Sequence, residues 1–230
     1  FTISATGLLN PIRPIILSAQ AKSEDEHKID VVDMMGSRVG SALHDSLEDC
    51  WKDPKRVKNS LKRLRIPQHV IDNIRINPNE LDVKTNPKII PVYIENRTSR
   101  KLGAWTITGK YDLVIEGEVQ DYKSGSVWGY IFESNKADYI MQGSIYRWLN
   151  PDKITMDTIT IHYIFTDWSK VKSLQDKKYP QTRIMSQQYR LHSPESVEKF
   201  IHNKLNKLES LISAKQHELP LCTREELWQK

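Results

Sequence analysis

Apolar and polar positions alternate with a period of two in four stretches of the chain and recur every three to four residues in several others. Residues 89–97 set Ile90, Val92 and Ile94 against Pro91, Tyr93 and Glu95. Residues 107–115 and 118–123 read as two strands folded back on each other. Residues 157–168 place Ile159, Ile161, Tyr163 and Phe165 on one side and Thr158, Thr160, His162 and Ile164 on the other. The helical period appears first at 31–51, where Val39, Leu43, Leu47 and Cys50 form a stripe expected to be buried. Gly36, Gly40, Ser41 and Ala42 leave room there for close packing. It returns at 135–149, with Ser134 as expected N-cap and Asn150-Pro151 as terminator, and at about 194–217, opened by Ser193-Pro194-Glu195. The core stripe of that last helix is Val197, Ile201, Leu205, Leu208 and Ile212.

Between these elements, 1–20 reads as an extended lead-in with a short helix near 15–21, and 22–28 as a charged loop. Residues 52–85 read as a helical insert, 97–103 as a basic turn, and 168–192 as a polar, basic segment that is either a nucleic-acid rim or a solvated hairpin. The order helix, strands, helix, strand, helix predicts an α/β fold, a mixed sheet flanked by helices, over a single domain of residues 1–230.

Composition adds bounds. With 230 residues, 38% hydrophobic and 27% charged, the chain is long enough for one well-packed, soluble domain. It has no apolar run long enough to suggest a membrane span. Cys50 and Cys222 are too few for a disulfide framework or a four-cysteine cluster. A net charge of +5 favours a polyanionic partner. The chain opens on Phe1 without a leader-like stretch, which suggests a trimmed piece of a longer, intracellular protein.

The candidate chemistry lies in 106–125. Glu116-Gly117 suits a two-residue turn, so Ile115 pairs with Glu118 and Asp112 comes opposite Asp121. Lys123, two residues beyond Asp121, shares its face. Two carboxylates that close repel unless a proton or cation lies between them. Hard oxygen donors of this kind suit Mg²⁺ or Mn²⁺. A surface hairpin with an ordinary Asp–Lys pair is the plainer alternative.

Gly109-x-x-Asp112 followed by Asp121-Tyr122-Lys123-Ser124-Gly125 resembles the core of the PD-(D/E)XK nucleases, most closely the RecB-like branch, with Ser124 where Thr is commoner. Two flanking segments extend the resemblance over about residues 36–150. Gly40-Ser-Ala-Leu-His44 lies on the helix upstream, and Gln142-x-x-x-Tyr146 on the helix downstream. The tail from Leu219 to Trp228 resembles those of phage-type members. The resemblance implies a restriction-endonuclease-like α/β core and a metal-dependent deoxyribonuclease. His44, Asp112, Asp121 and the Tyr122 backbone carbonyl would ligate Mg²⁺ or Mn²⁺. Lys123 would assist catalysis with the two aspartates, and Gln142 and Tyr146 would contact DNA beside the site. Glu95 stands where the family often carries a strand glutamate, and is otherwise a surface residue. Arg56, Lys62 and Arg63 in the basic helix are candidate phosphate contacts or a solvated face. Such proteins are usually exonucleases acting at DNA ends in recombination, repair or replication. An endonuclease on the same core, or a non-cleaving DNA-binding module, are the alternatives. No iron–sulfur cluster is expected.

Overall fold

The computed structural model describes residues 1–21, 31–224 and 226. In chain order the elements are β1 (Thr2–Ser4), α1 (Ala5–Leu9), α2 (Ile12–Gln20), α3 (Val31–Lys52), α4 (Pro54–Arg63), α5 (Gln68–Asn73), β2 (Ile74–Ile76) and α6 (Glu80–Thr85). Then follow β3 (Ile90–Ile94), β4 (Arg97–Leu102), β5 (Trp105–Lys110), β6 (Leu113–Ile115), β7 (Glu118–Gly125) and α7 (Val127–Ile131). The last are α8 (Lys136–Leu149), β8 (Thr158–Phe165), α9 (Lys170–Gln175), β9 (Ile184–Arg190) and α10 (Pro194–Leu211). The fold is mixed α/β, with a central mixed sheet flanked by helices. Its six strands run β2-β3-β6-β7-β8-β9, and β1-β5-β4 form a second, three-stranded sheet. The pairs β2–β3 and β7–β8 are parallel, while β3–β6, β6–β7 and β8–β9 are antiparallel. Among the described residues no helix is long and apolar enough to cross a membrane.

Local chemistry sets several boundaries as expected. Asp53 caps α4, accepting from the N–H groups of Lys55 and Arg56, with Pro54 at the first turn. Ser193 does the same for α10 through Ser196 N–H. The β8 alternation holds: Ile159, Ile161, Tyr163 and Phe165 are buried beneath α8 and α10 with Ile145, Tyr146, Val197 and Ile201. Glu116 and Gly117 both have positive φ, 49° and 83°, the geometry of a tight hairpin turn. The register is Ile115 with Glu118 and Leu113 with Gln120.

Other expectations are corrected. The strand expected over 107–115 breaks at Tyr111-Asp112. Its first half, β5, joins the small sheet, and only β6 pairs with β7. The wholly buried Tyr111, packed edge-on against Tyr146 with centroids 6.4 Å apart, marks the crossing. The basic turn at 97–103 is strand β4, where Arg and Lys side chains sit on an edge that water can reach. The segment 168–192 folds as α9 and β9, with Tyr179 and Tyr189 buried in the core. The insert contains β2, which pairs with β3. Helix α8 is capped at Asn135 rather than Ser134, without a side-chain bond. Helix α10 stops at Leu211, short of 217, with Ile212 as its C-cap. The lead-in forms a short strand and two helices. On α3 the expected stripe is only half-buried: Leu43, Leu47 and Cys50 are partly covered together with Gly40, His44, Glu48 and Trp51, while Val39 is exposed. That face turns toward β7, and Trp51 at its end packs on the small core cluster of Val92, Ile94 and Leu113. The loop expected at 22–28 and the tail positions Glu225, Leu227 and Trp228 lie outside the described residues.

Gly109 on β5 is held by packing. A Cβ there would come 2.6 Å from Leu149 Cδ1 and 3.1 Å from the Tyr146 ring. Gly109→Val is therefore expected to destabilise the protein by about 1–3 kcal/mol through overpacking. A urea unfolding midpoint equal to wild type would show that α8 yields freely there.

Candidate active site

The β6–β7 ladder ends at Leu113–Gln120, one pair short of Asp112 and Asp121. Had it continued, the Tyr122 N–H would have met the Tyr111 carbonyl. The chain leaves the sheet instead, and Asp112 Oδ2 accepts that N–H at 2.9 Å. A carboxylate thus replaces a main-chain partner at the point where β7 loses its neighbour. Because alternate residues of a strand bond to opposite neighbours, the Tyr122 carbonyl faces the same opened edge. On its other side β7 remains paired with β8 as far as Gly125, which keeps the edge rigid.

Four side chains meet there. His44, projecting from α3, places Nδ1 3.2 Å from Asp112 Oδ2. Lys123 Nζ lies 2.6 Å from Asp121 Oδ2 and 5.6 Å from the centre of the Tyr139 ring on α8. Asp121 is 2% exposed, and its Oδ2 accepts no well-aligned hydrogen bond beyond that ion pair. The two carboxyls diverge in acidity. Burial would raise Asp112, but the His44 and Tyr122 hydrogen bonds together with the nearby cations hold it below the usual range. Burial raises Asp121, and Asp112 adds in the same direction against the pull of Lys123. Burial alone would lower Lys123; the charge of Asp121 overcomes it, and the ammonium is held above its ordinary value. The His44 imidazole is raised, chiefly by its hydrogen bond to Asp112. Each carboxylate therefore has its own nitrogen partner, Asp112 the His44 imidazole and Asp121 the Lys123 ammonium.

Glu95 borders the same site. Its N–H donates to the Asp112 carbonyl, its φ is +49°, and its carboxylate pairs with Lys110. With Gly40, Ser41, His44, Asp45 and Asp112 they line an open cleft of about 400 Å³. A non-glycine residue in that backbone region is strained, and such strain clusters at functional sites. Lys110 and Asp45 escaped sequence reasoning. The signal for Lys110 was its place two residues before Asp112, the same spacing that joins Asp121 to Lys123.

Gln142 and Tyr146 share one face of α8 and are buried. Gln142 Nε2 donates to the Tyr146 hydroxyl at 2.7 Å. Burial raises the Tyr146 phenol first, and the Asp121 charge adds to it. Both residues, expected to contact DNA, are buried, and Tyr146 lies close enough to feel the charges of Asp121 and Asp112. Arg56, Lys62 and Arg63 are exposed on α4, which packs on α3 and α5. His162 is structural, bonded to Ser186 and Gln120 and stacked on Tyr122.

No family model matches this sequence, and no curated protein matches it. The solved structures that match this chain include two at low identity. One is the crystal structure of SSO0001, 17% identical, with 91% of this chain and 77% of that one covered and a TM-score of 0.48. The other is a phage-related exonuclease from Haemophilus somnus 129PT, 14% identical, with 92% and 93% covered and a TM-score of 0.39. Likeness at this level fixes neither activity nor substrate, and the chemistry has to come from the side chains.

Proposed function

We propose that the protein is a divalent-metal-dependent nuclease that hydrolyses phosphodiester bonds in DNA, a RecB-like member of the PD-(D/E)XK superfamily acting as an exonuclease at DNA ends. The observation that carries the reading is the convergence of Asp112, Asp121, Lys123 and His44 on the opened edge of β7. A fold that only needed stability would have little reason to bury Asp121 and half-bury Asp112 there.

The donor set suits a hard cation: two carboxylates, an imidazole, and a buried Asp121 oxygen with no aligned hydrogen bond. Among the described residues no three His, Cys, Asp or Glu side chains already stand in the spacing of a ready metal site. The His44 imidazole and the Lys123 ammonium instead engage the carboxylate oxygens. Asp112, Asp121 and His44 would hold Mg²⁺ or Mn²⁺, with the Tyr122 carbonyl at the same edge. Such an ion polarises a phosphoryl oxygen and makes its bound water a nucleophile at neutral pH. Lys123, protonated beside Asp121, supplies positive charge against the transition-state phosphorane and orients the water. The Tyr122 N–H fixes Asp112, and the Gln142–Tyr146 pair with Gly109 keeps α8 seated behind the aspartates. Glu95 and Lys110, at the mouth of the cleft, lie where a neighbouring phosphate would pass.

Digestion of end-labelled linear and closed circular DNA, single- and double-stranded, with Mn²⁺ or Mg²⁺ tests this. Progressive shortening of the linear substrates, with circles intact and all activity lost in EDTA, is the expected result. Cutting of closed circles would make the protein an endonuclease on the same core. Binding without cleavage under every metal condition would refute the reading.

A further inference from the structure

We propose that the exposed ring pair Trp128–Phe132, with Lys172 beside it, is a stacking platform for the bases of a single nucleic-acid strand next to the catalytic ribbon. The proposal rests on the nuclease reading for where that strand leads. The two rings, four residues apart on α7 and its C-cap, stack with centroids 5.9 Å apart and planes inclined by 19°. Trp128 is 49% exposed and Phe132 71%. The opposite face of α7 accounts for its packing: Val127 is buried, and Tyr130 meets Tyr163 and Phe165 edge-on. Nothing in the core needs the outer pair. Large apolar groups left together in water mark a surface that binds something.

Position and charge say what. Lys172 Nζ lies 5.9 Å from the centre of the Trp128 ring. On α9 and the turn after it, Lys170, Lys172, Lys177 and Lys178 are exposed against Asp176. The nearby Glu133 carboxylate is already engaged by Lys136 and Gln187. Lysine is depleted at the centre of protein–protein interfaces, whereas aromatic rings interleaved with lysines are what single-stranded nucleic acid uses. A Cβ added at Gly125 or Gly129 would meet nothing within 4 Å, so open space adjoins the rings. The platform is also fastened to the catalytic strand. Val127 N–H donates to Asp167 Oδ1 at 2.8 Å, Trp128 N–H to Ser126 Oγ at 3.0 Å, and Thr166 N–H to the Gly125 carbonyl at 2.9 Å. Trp128 follows Lys123 by five residues, a reach of at most about 17 Å. A strand stacked on the rings thus has its backbone within a few nucleotides of Asp121 and Lys123. Duplex DNA, whose bases are already stacked on one another, has no free base face to offer.

The test is binding in EDTA, with the Asp121→Asn protein as parent, of a fluorescent oligothymidylate and of a duplex of equal length. Trp128→Ala and Phe132→Ala are each expected to weaken oligothymidylate binding roughly five- to a hundredfold, the range for loss of one base–aromatic stack. Trp128→Phe keeps a ring face and should retain most of the affinity, and duplex binding should hardly move. Both positions are largely solvated, and circular dichroism checks that the variants fold. Unchanged oligothymidylate affinity in the alanine variants overturns the proposal. So does an equal loss for duplex and single strand, or a change in oligomeric state with DNA affinity intact, which would make the patch a contact between copies of the chain. Because binding is read without cleavage, wild-type protein that binds but never cuts would overturn the nuclease reading and leave the platform standing.

Discussion

Asp121→Asn is expected to lower metal-dependent DNA cleavage roughly a thousandfold or more, the scale on which loss of one charge-stabilising group at a reacting centre acts. The substitution keeps shape and volume and removes one charge. That charge lies at the most enclosed point of the site, 2% exposed and 2.6 Å from Lys123 Nζ. An amide there would be a poor ligand for a hard cation. It would also leave the Lys123 ammonium without its nearest counter-charge. The fold should survive, because β7 stays laddered to β8 on its closed side and Asp112 remains to balance the lysine. DNA binding in EDTA should persist or strengthen, since one negative charge facing the phosphates is gone. Nuclease assays with Mn²⁺, set beside filter binding in EDTA, separate the two effects. Cleavage within a fewfold of wild type would remove Asp121 from the chemistry and the proposed mechanism with it.

Lys123→Met is expected to cost about 2–3 kcal/mol of stability in EDTA, together with most of the activity. The figure follows from stranding a buried carboxylate by removing its partner, at the low end of the usual range because the Lys123 side chain is 25% exposed. Methionine replaces the apolar stem, so the loss reports the ammonium rather than a cavity. Mn²⁺ should recover more stability in this variant than in wild type. In wild type an entering ion competes with a cation already in place. In the variant it meets a carboxylate with none, and a ligand that binds only the folded state stabilises it by mass action. Urea unfolding with and without Mn²⁺ measures both terms. Equal unfolding midpoints for variant and wild type, or no response of either to Mn²⁺, would mean that the Lys123 ammonium neither holds the Asp121 charge nor competes with a metal for it.

Much of this was legible from local pattern. The β8 alternation, the α10 stripe and the Glu116-Gly117 turn depend only on neighbours a few residues away, and each came out as expected. The α3 stripe did so only in part, with Leu43, Leu47 and Cys50 half-buried and Val39 exposed. An apolar period shows that a helix has a covered face but not what covers it, and here part of that face is spent on His44 at the site. The segment at 168–192 stayed open between a rim and a solvated hairpin because its polar face is the solvent face of an edge strand, β9, which one-dimensional pattern cannot tell from an irregular rim.

The sequence by itself determined which residue types could perform the chemistry and their register along the ribbon. Turn residues set hairpin pairing locally, and the register they fix, realised as far as Leu113 with Gln120, would carry Asp112 opposite Asp121. Only the tertiary structure decided that the ribbon opens at that pair. Tyr111 is drawn into a core shared with Tyr146, β5 leaves for another sheet, and the Asp112 carboxylate takes the N–H that β6 would have used. It also decided that α3 brings His44 to Asp112 from 68 positions away and that Gln142 and Tyr146 are buried and bonded to each other. Contacts so distant in sequence depend on how the layers pack, and that depends on volume and burial summed over the whole core, which no local window contains.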